Sequence, residues 1–475
     1  MLSLHKGLRL AAIASATSLL AACKTFSPDG GMGPVAAVAG QGLNKDVVRI
    51  ASAADAAHAQ TEVTRLLRAP LNADAAVQIA LYNNLGLQAA YNRLGIAEAV
   101  AVQKRRPPLP SFSYEEVSTA VELDIERKII GSILALATWP SRAKIAGVKF
   151  EQAQLQAADE TLRVAADTRR AYVRVVAARE TAQALEAQKA KADAAAELAA
   201  KLKQTGALNT LEQARRQVVA VELDAQLMAA RQQADAAEEQ LTRMLGLWGR
   251  DVATLLPSRL PYLPAKRQGL GAVEQAAMDN RVDLQIALLE TQALARSFGL
   301  TRKTRFINVL EAGGISKTQK DTGERKASGD GFDIAFEVPL YDFGRARVRE
   351  AEQRYLEAVN TLGALAVNAR SEAREAYGAY RSTYAIAARY EREVLPLRRT
   401  ITEETELQYN AMQVDAFVLL EVARANATAK VAAIAAKRNF WLAYTELSVA
   451  TLGGGAMAPM EDVTLAADSA RAGAH

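Results

Sequence analysis

The chain has 475 residues, and its 58 Lys and Arg stand against 53 Asp and Glu for a formal net charge of +5. Half of it is hydrophobic by count but only 5% is aromatic, too little Phe, Trp and Tyr to fill large globular cores, which points instead to thin Ala-lined helical seams. Its basic residues are scattered among acids at helical spacing, the pattern of a solvated face and not of a nucleic-acid surface.

At the N-terminus, His5, Lys6 and Arg9 form a positive region followed by an apolar run from Leu10 to Ala22. A run of about 13 residues suits a cleaved signal and falls short of the ~20 needed to span a bilayer. Residues 1–22 are therefore expected to be a signal peptide. The segment Leu20-Ala21-Ala22-Cys23 resembles a bacterial lipobox, and Cys23 is the only cysteine. A lone thiol makes no intrachain disulfide, and lipidation (a palmitate-type anchor) gives it a purpose. Lys24 stands where such lipoproteins typically carry Asp for inner-membrane retention, which points to the outer membrane. No other stretch reaches ~18 apolar residues, so any crossing must use β-strands closed into a barrel.

Residues 23–69 read as a lipidated tether and lead-in, with Pro28, Gly30, Gly31, Gly33, Pro34, Gly40 and Gly42 predicting flexibility before Lys45. From 70 to 247 runs the first of two long repeats. An amphipathic helix opens at Leu71 and passes Asn83 and Asn84. Between Leu109 and Lys128, Phe112 and Tyr114 share one face, while Val121, Leu123 and Ile125 alternate with Glu122, Asp124 and Glu126; period two predicts a hairpin. Ile129 to Trp139 is apolar on both faces and fits either helix or buried strand. Pro140-Ser141-Arg142 opens a run of about 60 residues to Gly206, roughly 90 Å of helix. A return helix spans Thr210 to Leu245, where Leu211, Ala214, Val218, Val221, Ala225 and Met228 keep the three-four spacing of a coiled-coil seam.

After a linker at 248–269, residues 270–453 repeat the order. A helix begins at Gly271-Ala272-Val273-Glu274 and passes Asn280-Arg281-Val282-Asp283-Leu284. A strand from about Ile307 to Lys317 and a loop with Gly323, Gly329 and Gly331 lead to Phe332, Ile334, Phe336 and Val338, which alternate with Asp333, Ala335 and Glu337. One apolar and one charged face over ~10 residues suits a barrel strand with lipid outside; a surface hairpin of a soluble domain reads equally well. The next helix starts after Pro339 and runs to about Tyr409, with Pro396 expected to kink or relieve it. The last spans Asp415 to Leu452, and 454–475 reads as a disordered tail.

Chemistry is sparse. The histidines are His5, His58 and His475, so no His/Cys cluster forms a metal site. No nucleophile elbow, P-loop or dinucleotide fingerprint is present, and the expectation is a protein without catalytic activity or cofactor.

The lipobox, the duplicated hairpin and the long Ala-rich helices together resemble the outer-membrane efflux protein (TolC) family. The most specific stretches are Val338-Pro339-Leu340-Tyr341-Asp342-Phe343-Gly344-Arg345, similar to the family's strand-to-helix junction, Asn280 to Gln285, and the Leu-Gly that closes each repeat (Leu245-Gly246, Leu452-Gly453). The resemblance implies a mainly α chain with a small β part. Its long antiparallel helices would form a periplasmic α-barrel, and four strands per chain would build a twelve-stranded outer-membrane β-barrel in a homotrimer. It further implies a passive conduit for drugs or metal ions, supplied by a periplasmic adaptor and an inner-membrane, proton-driven transporter. By the same analogy Gly206, Ala207, Leu208, Asn209, Asn410, Met412 and Gln413 are adaptor-contact tips. Glu404 and Asp415 are gate candidates, since one inward carboxylate per chain makes a ring of three. The competing reading is a periplasm-spanning coiled-coil lipoprotein or scaffold without a pore.

The first repeat departs from the family form, with Ala137-Thr138-Trp139-Pro140-Ser141-Arg142 at its junction and a shorter hairpin. The turn at Met412 lacks the glycine that Gly206 supplies in the first repeat.

Overall fold

The computed structural model describes residues 26–119, 122–248, 255–265, 273–321 and 326–455. The signal segment, Cys23, Val121, Gly271, Ala272, Gly323 and the tail from 456 lie outside the described residues. In chain order the principal elements are α1 (Ala53–Leu67), α2 (Ala73–Asn83), α3 (Leu85–Arg105), β1 (Ser111–Ser118), β2 (Glu122–Ser132), α4 (Ile133–Gln204), α5 (Thr210–Leu245), α6 (Val273–Asn280), α7 (Val282–Lys303), β3 (Val309–Asp321), β4 (Lys326–Glu337), α8 (Arg345–Arg389), a π-helical turn (Tyr390–Val394), α9 (Leu395–Asn410) and α10 (Ala416–Leu452). Among the described residues no helix is long and apolar enough to cross a membrane.

The chain divides into two compact units, and each draws on both repeats. The first takes described residues 26–35, 91–157 and 284–365. Its centre is one antiparallel sheet in the order β1-β2-β3-β4. The two predicted hairpins are thus halves of a single sheet, joined by β2–β3 pairing from Glu122↔Asp321 to Ser132↔Glu311. β2 runs to Ser132 and α4 starts at Ile133, so the ambiguous segment is strand first and helix after. Pro140 consequently lies inside α4 instead of opening it. Proline has no N–H to give the carbonyl four residues back, and the neighbouring indole compensates by anchoring this stretch: Trp139 Nε1 donates to the Arg105 carbonyl at 3.0 Å.

The second junction is built differently. Gly344 has φ +71, and a Cβ there would overlap the Arg305 carbonyl. The Asp342 carboxylate accepts from the N–H groups of Gly344 (2.9 Å) and Ala346 (3.0 Å), capping the start of α8.

The stretch read as a flexible tether is folded from residue 26 onward. Gly30 and Gly31, at φ +61 and +80, turn the chain tightly. Within the first unit Ser27 N donates to Glu98 Oε1 at 2.6 Å, and Gln154 Nε2 donates to the Gly31 carbonyl at 3.0 Å. Met32, Val35, Ala39 and Leu43 are buried. Gly33, Pro34, Gly40 and Gly42 fall in a short helical run at 32–43, whose apolar residues find cover.

The second unit comprises described residues 36–90, 158–283 and 366–455. Tyr380, Tyr384 and Phe440 form its aromatic centre among Ala373, Ala376, Ala436 and Leu447, with Tyr380–Phe440 and Tyr384–Phe440 ring centroids each 5.6 Å apart. Farther along, α4 and α5 meet through Ala192, Ala196, Ala220 and Leu223. The seam predicted on α5 is not the one α4 covers. Leu211, Val218, Val221 and Met228 are 59%, 51%, 59% and 65% exposed, while Ala220, Leu223, Leu227, Ala230 and Ala234 are buried. The helix carries two apolar stripes, and the Ala-rich one permits the closer backbone approach.

Pro396 sits in the first turn of α9, immediately after the π-helical turn. The widened turn absorbs the missing donor, as Leu395 N reaches back to the Tyr390 carbonyl.

Each Leu-Gly closure clasps the lead-in of its own repeat. Gly246 has φ +67 and lies against Asn83. Asn83 Nδ2 donates to the Gly246 carbonyl at 2.7 Å, and Asn84 Nδ2 to that of Met244 at 3.0 Å. Gly453 packs on Val282. Beside it the buried Arg281 pairs with Asp283 (2.7 Å) and Glu372 (2.5 Å). Burial alone would lower the Arg281 guanidinium, but the hydrogen bonds and charges of Asp283 and Glu372 outweigh it and hold its pKa above the ordinary value.

Candidate functional site

Two surfaces present side chains that the packing above does not use: the faces of the sheet and the tips of the helical hairpins. Directly opposed antiparallel residues share a face, so the register sorts every strand side chain. One face gathers Phe112 and Ile129, paired across β1–β2, with Leu310 opposite Phe336 and Ala312 opposite Ile334 across β3–β4. Phe112, Phe332 and Phe336 on this face are 74%, 82% and 71% exposed. Water does not favour large apolar side chains exposed together on one face, which is the mark of an interaction surface. Val338 lies one residue beyond the end of β4 and is partly buried, so it belongs to the junction and not to the strand.

The other face is charged. Glu115 stands opposite Glu126, with Asp124, Glu311, Asp333 and Glu337 on the same side. Lys128 and Lys317 both pair with the Glu126 carboxylate, the latter at 2.6 Å. The remaining acids have no lysine opposite them in the register. The period-two alternation signals this face within each hairpin, but the pairing of β2 with β3, which joins the two halves into one face and sets Lys317 against Glu126, has no local sequence signal. β1 and β4 are the free edges of the sheet.

The tips lie in the second unit and repeat one motif twice. At the end of α4, Gly206 N donates to the Lys203 carbonyl and Ala207 N to that of Leu202. At the end of α9, Met412 N donates to the Tyr409 carbonyl and Gln413 N to that of Gln408. Both are Schellman closures with a left-handed residue at the same position, φ +76 at Gly206 and +58 at Met412. Leu208 and Val414 follow, partly buried. Asn209 and Asp415 then cap the return helices: Asn209 Oδ1 accepts from Glu212 N at 2.8 Å, and Asp415 Oδ1 from Phe417 N and Val418 N at 2.9 Å. Asp415, a gate candidate, is thus engaged as a helix cap. Glu404 is exposed on α9, and Asn410 is its last residue. Sequence reasoning missed the contact between the hairpins, where the Arg216 guanidinium lies 4.3 Å from the centroid of the Phe417 ring; neither residue has a spacing that announces it. Among the described residues no group of His, Cys, Asp or Glu is arranged to hold a metal ion.

A four-stranded antiparallel sheet joined to long antiparallel helices is a fold this chain shares with solved bacterial outer-membrane channels. The Campylobacter jejuni CmeC outer-membrane channel matches at 17% identity with a TM-score of 0.66, over 84% of this chain and 87% of that one. The Neisseria gonorrhoeae MtrE outer-membrane channel in its open state matches at 16% and 0.66, over 82% and 89%. The Vibrio cholerae outer-membrane protein VceC matches at 15% and 0.61, over 84% and 97%. No family model matches the sequence, and no curated relative does. The chain fold expected from the resemblance to the outer-membrane efflux protein (TolC) family, long antiparallel helices with four β-strands, is the fold found.

Proposed function

We propose that the protein is an outer-membrane channel of a tripartite efflux system, a passive conduit closed by three copies of the chain and anchored through a lipid on Cys23. The observation that carries this reading is the sorted sheet. Its exposed Phe112, Phe332 and Phe336 suit hydrocarbon, its acidic face suits water, and its two free edges are not tolerated in lipid unless other copies pair with them. The second, uncovered stripe of α5 supports the same reading, since a helix with two apolar stripes has a neighbour on each side. A pore-less scaffold leaves both features without a partner.

In this reading the tips at 206–209 and 410–413 meet a periplasmic adaptor, and an inner-membrane, proton-driven transporter delivers the cargo. With Asp415 engaged as a cap, Glu404 carries the gate proposal. The acidic sheet face favours cationic cargo, whether organic cations or metal ions. Purified protein should migrate as a heat-modifiable, SDS-resistant trimer and give single-channel conductance in planar bilayers. A monomer that loses the membrane on Cys23→Ser and never conducts would sink the reading in favour of the scaffold.

A further inference from the structure

The two tips are an internal control for one another. Both close with the same pair of backbone hydrogen bonds and restart with the same side-chain cap. They differ at the left-handed position, where the first uses Gly206 and the second Met412. Glycine adopts that conformation without steric cost, whereas a β-carbon clashes with the following carbonyl. Methionine offers no local compensation of the kind Asn or Asp gives through a side-chain hydrogen bond. Nor does the side chain gain from packing, because Met412 is 94% exposed. An apolar side chain held in a strained turn, with nothing of its own chain to bury it, is the signature of strain retained for an external contact. Two further exposed apolar side chains stand on the same turn of α9, Leu407 and Tyr409.

We propose that Met412 is the specificity knob of the docking surface: it inserts into an apolar notch of the partner protein, and the first tip, with Gly206, adds contact without selecting. The inference rests on the reading of the tips as the docking end. Methionine is unbranched and polarizable, so it fills an irregular apolar notch that a glycine would leave empty.

The test replaces Gln413, and separately Ala207, with a photo-crosslinking amino acid in the full chain in intact cells, and identifies adducts by peptide mass. The Gln413 probe is then repeated with Met412→Gly and Met412→Leu. The expected result is an adduct to a second, periplasmic protein from both tips. Met412→Gly should cut the Gln413 adduct at least tenfold while raising the melting temperature of the purified protein, and Met412→Leu should retain the adduct. An undiminished adduct with Met412→Gly overturns the knob and leaves the docking reading standing. No adduct to another protein from either tip overturns the docking reading itself. An adduct only to a second copy of this chain overturns the inference in favour of a contact between copies. A lower melting temperature for Met412→Gly also overturns it, since the turn would then not be strained.

Discussion

Single residues in this protein carry constraints that neighbouring residues reveal. Met412→Gly should stabilise the isolated protein by about 1 kcal/mol, the usual cost of a left-handed non-glycine residue. Gly246→Ala should do the reverse. The glycine has φ +67 and packs against the Asn83 backbone, so a β-carbon both strains the turn and opens the clasp. A loss of about 2 kcal/mol, read as a lower melting temperature, is expected. Asp159 gives a pH-dependent case. Burial raises its pKa against the hydrogen bond from Gly454 N (2.8 Å), and the Asp283 and Glu160 carboxylates add to the rise. A carboxyl whose folded pKa is raised makes a contribution to stability that is full below the unfolded pKa and is lost as pH rises through the folded one. Asp159→Asn should therefore raise the melting temperature at pH 7, with the gain shrinking as pH falls through the folded pKa and gone below the unfolded one. A gain that persists unchanged at acid pH would show that the ionised carboxylate is not the cost.

At the scale of elements, periodicity and punctuation in the sequence carried most of the fold. The bounds of α5, Thr210–Leu245, are those its caps and apolar spacing predict, and Asp415 opens α10 as expected. Two things did not show locally. Pro140 reads as a helix start because proline favours first turns, yet tertiary anchoring by Trp139 lets the helix begin earlier. Which stripe of α5 meets α4 has no local signal, because both stripes of the helix satisfy a three-four spacing, and only packing against α4 chooses between them. The face left over yields a prediction at this scale. Val218→Glu together with Met228→Glu should leave helicity and monomer melting unchanged, because both side chains are exposed within the chain. In the proposed trimer each would place a charge on a seam between copies, where an unpaired buried charge costs several kcal/mol. Sedimentation should then show a monomer, against the trimer expected of the parent chain. An unchanged oligomer would mean that this stripe faces solvent.

At the scale of the whole molecule, the candidate site was legible where it follows alternation and hidden where it follows pairing. Phe332, Ile334 and Phe336 announce a face by themselves. Each hairpin shows part of the opposite face through its own alternation, but only the pairing of β2 with β3 puts Asp124 and Glu126 of the first repeat on the same face of one sheet as Glu311 and Asp333 of the second. That juxtaposition has a measurable consequence for a closed barrel. In the proposed barrel each carboxylate would be repeated in every copy, so the wall would present rings of like charge that attract cations and repel anions. Across a KCl gradient in a planar bilayer, the reversal potential should take the sign of a cation-selective pore. Glu115→Gln with Asp333→Asn should shift it toward zero while conductance persists, because neither residue is among the buried groups of the fold. The preference should also fade with salt, since screening lengths shrink from about 10 Å at 0.1 M to about 3 Å at 1 M. Anion selectivity at low salt would place the other face of the sheet in the water.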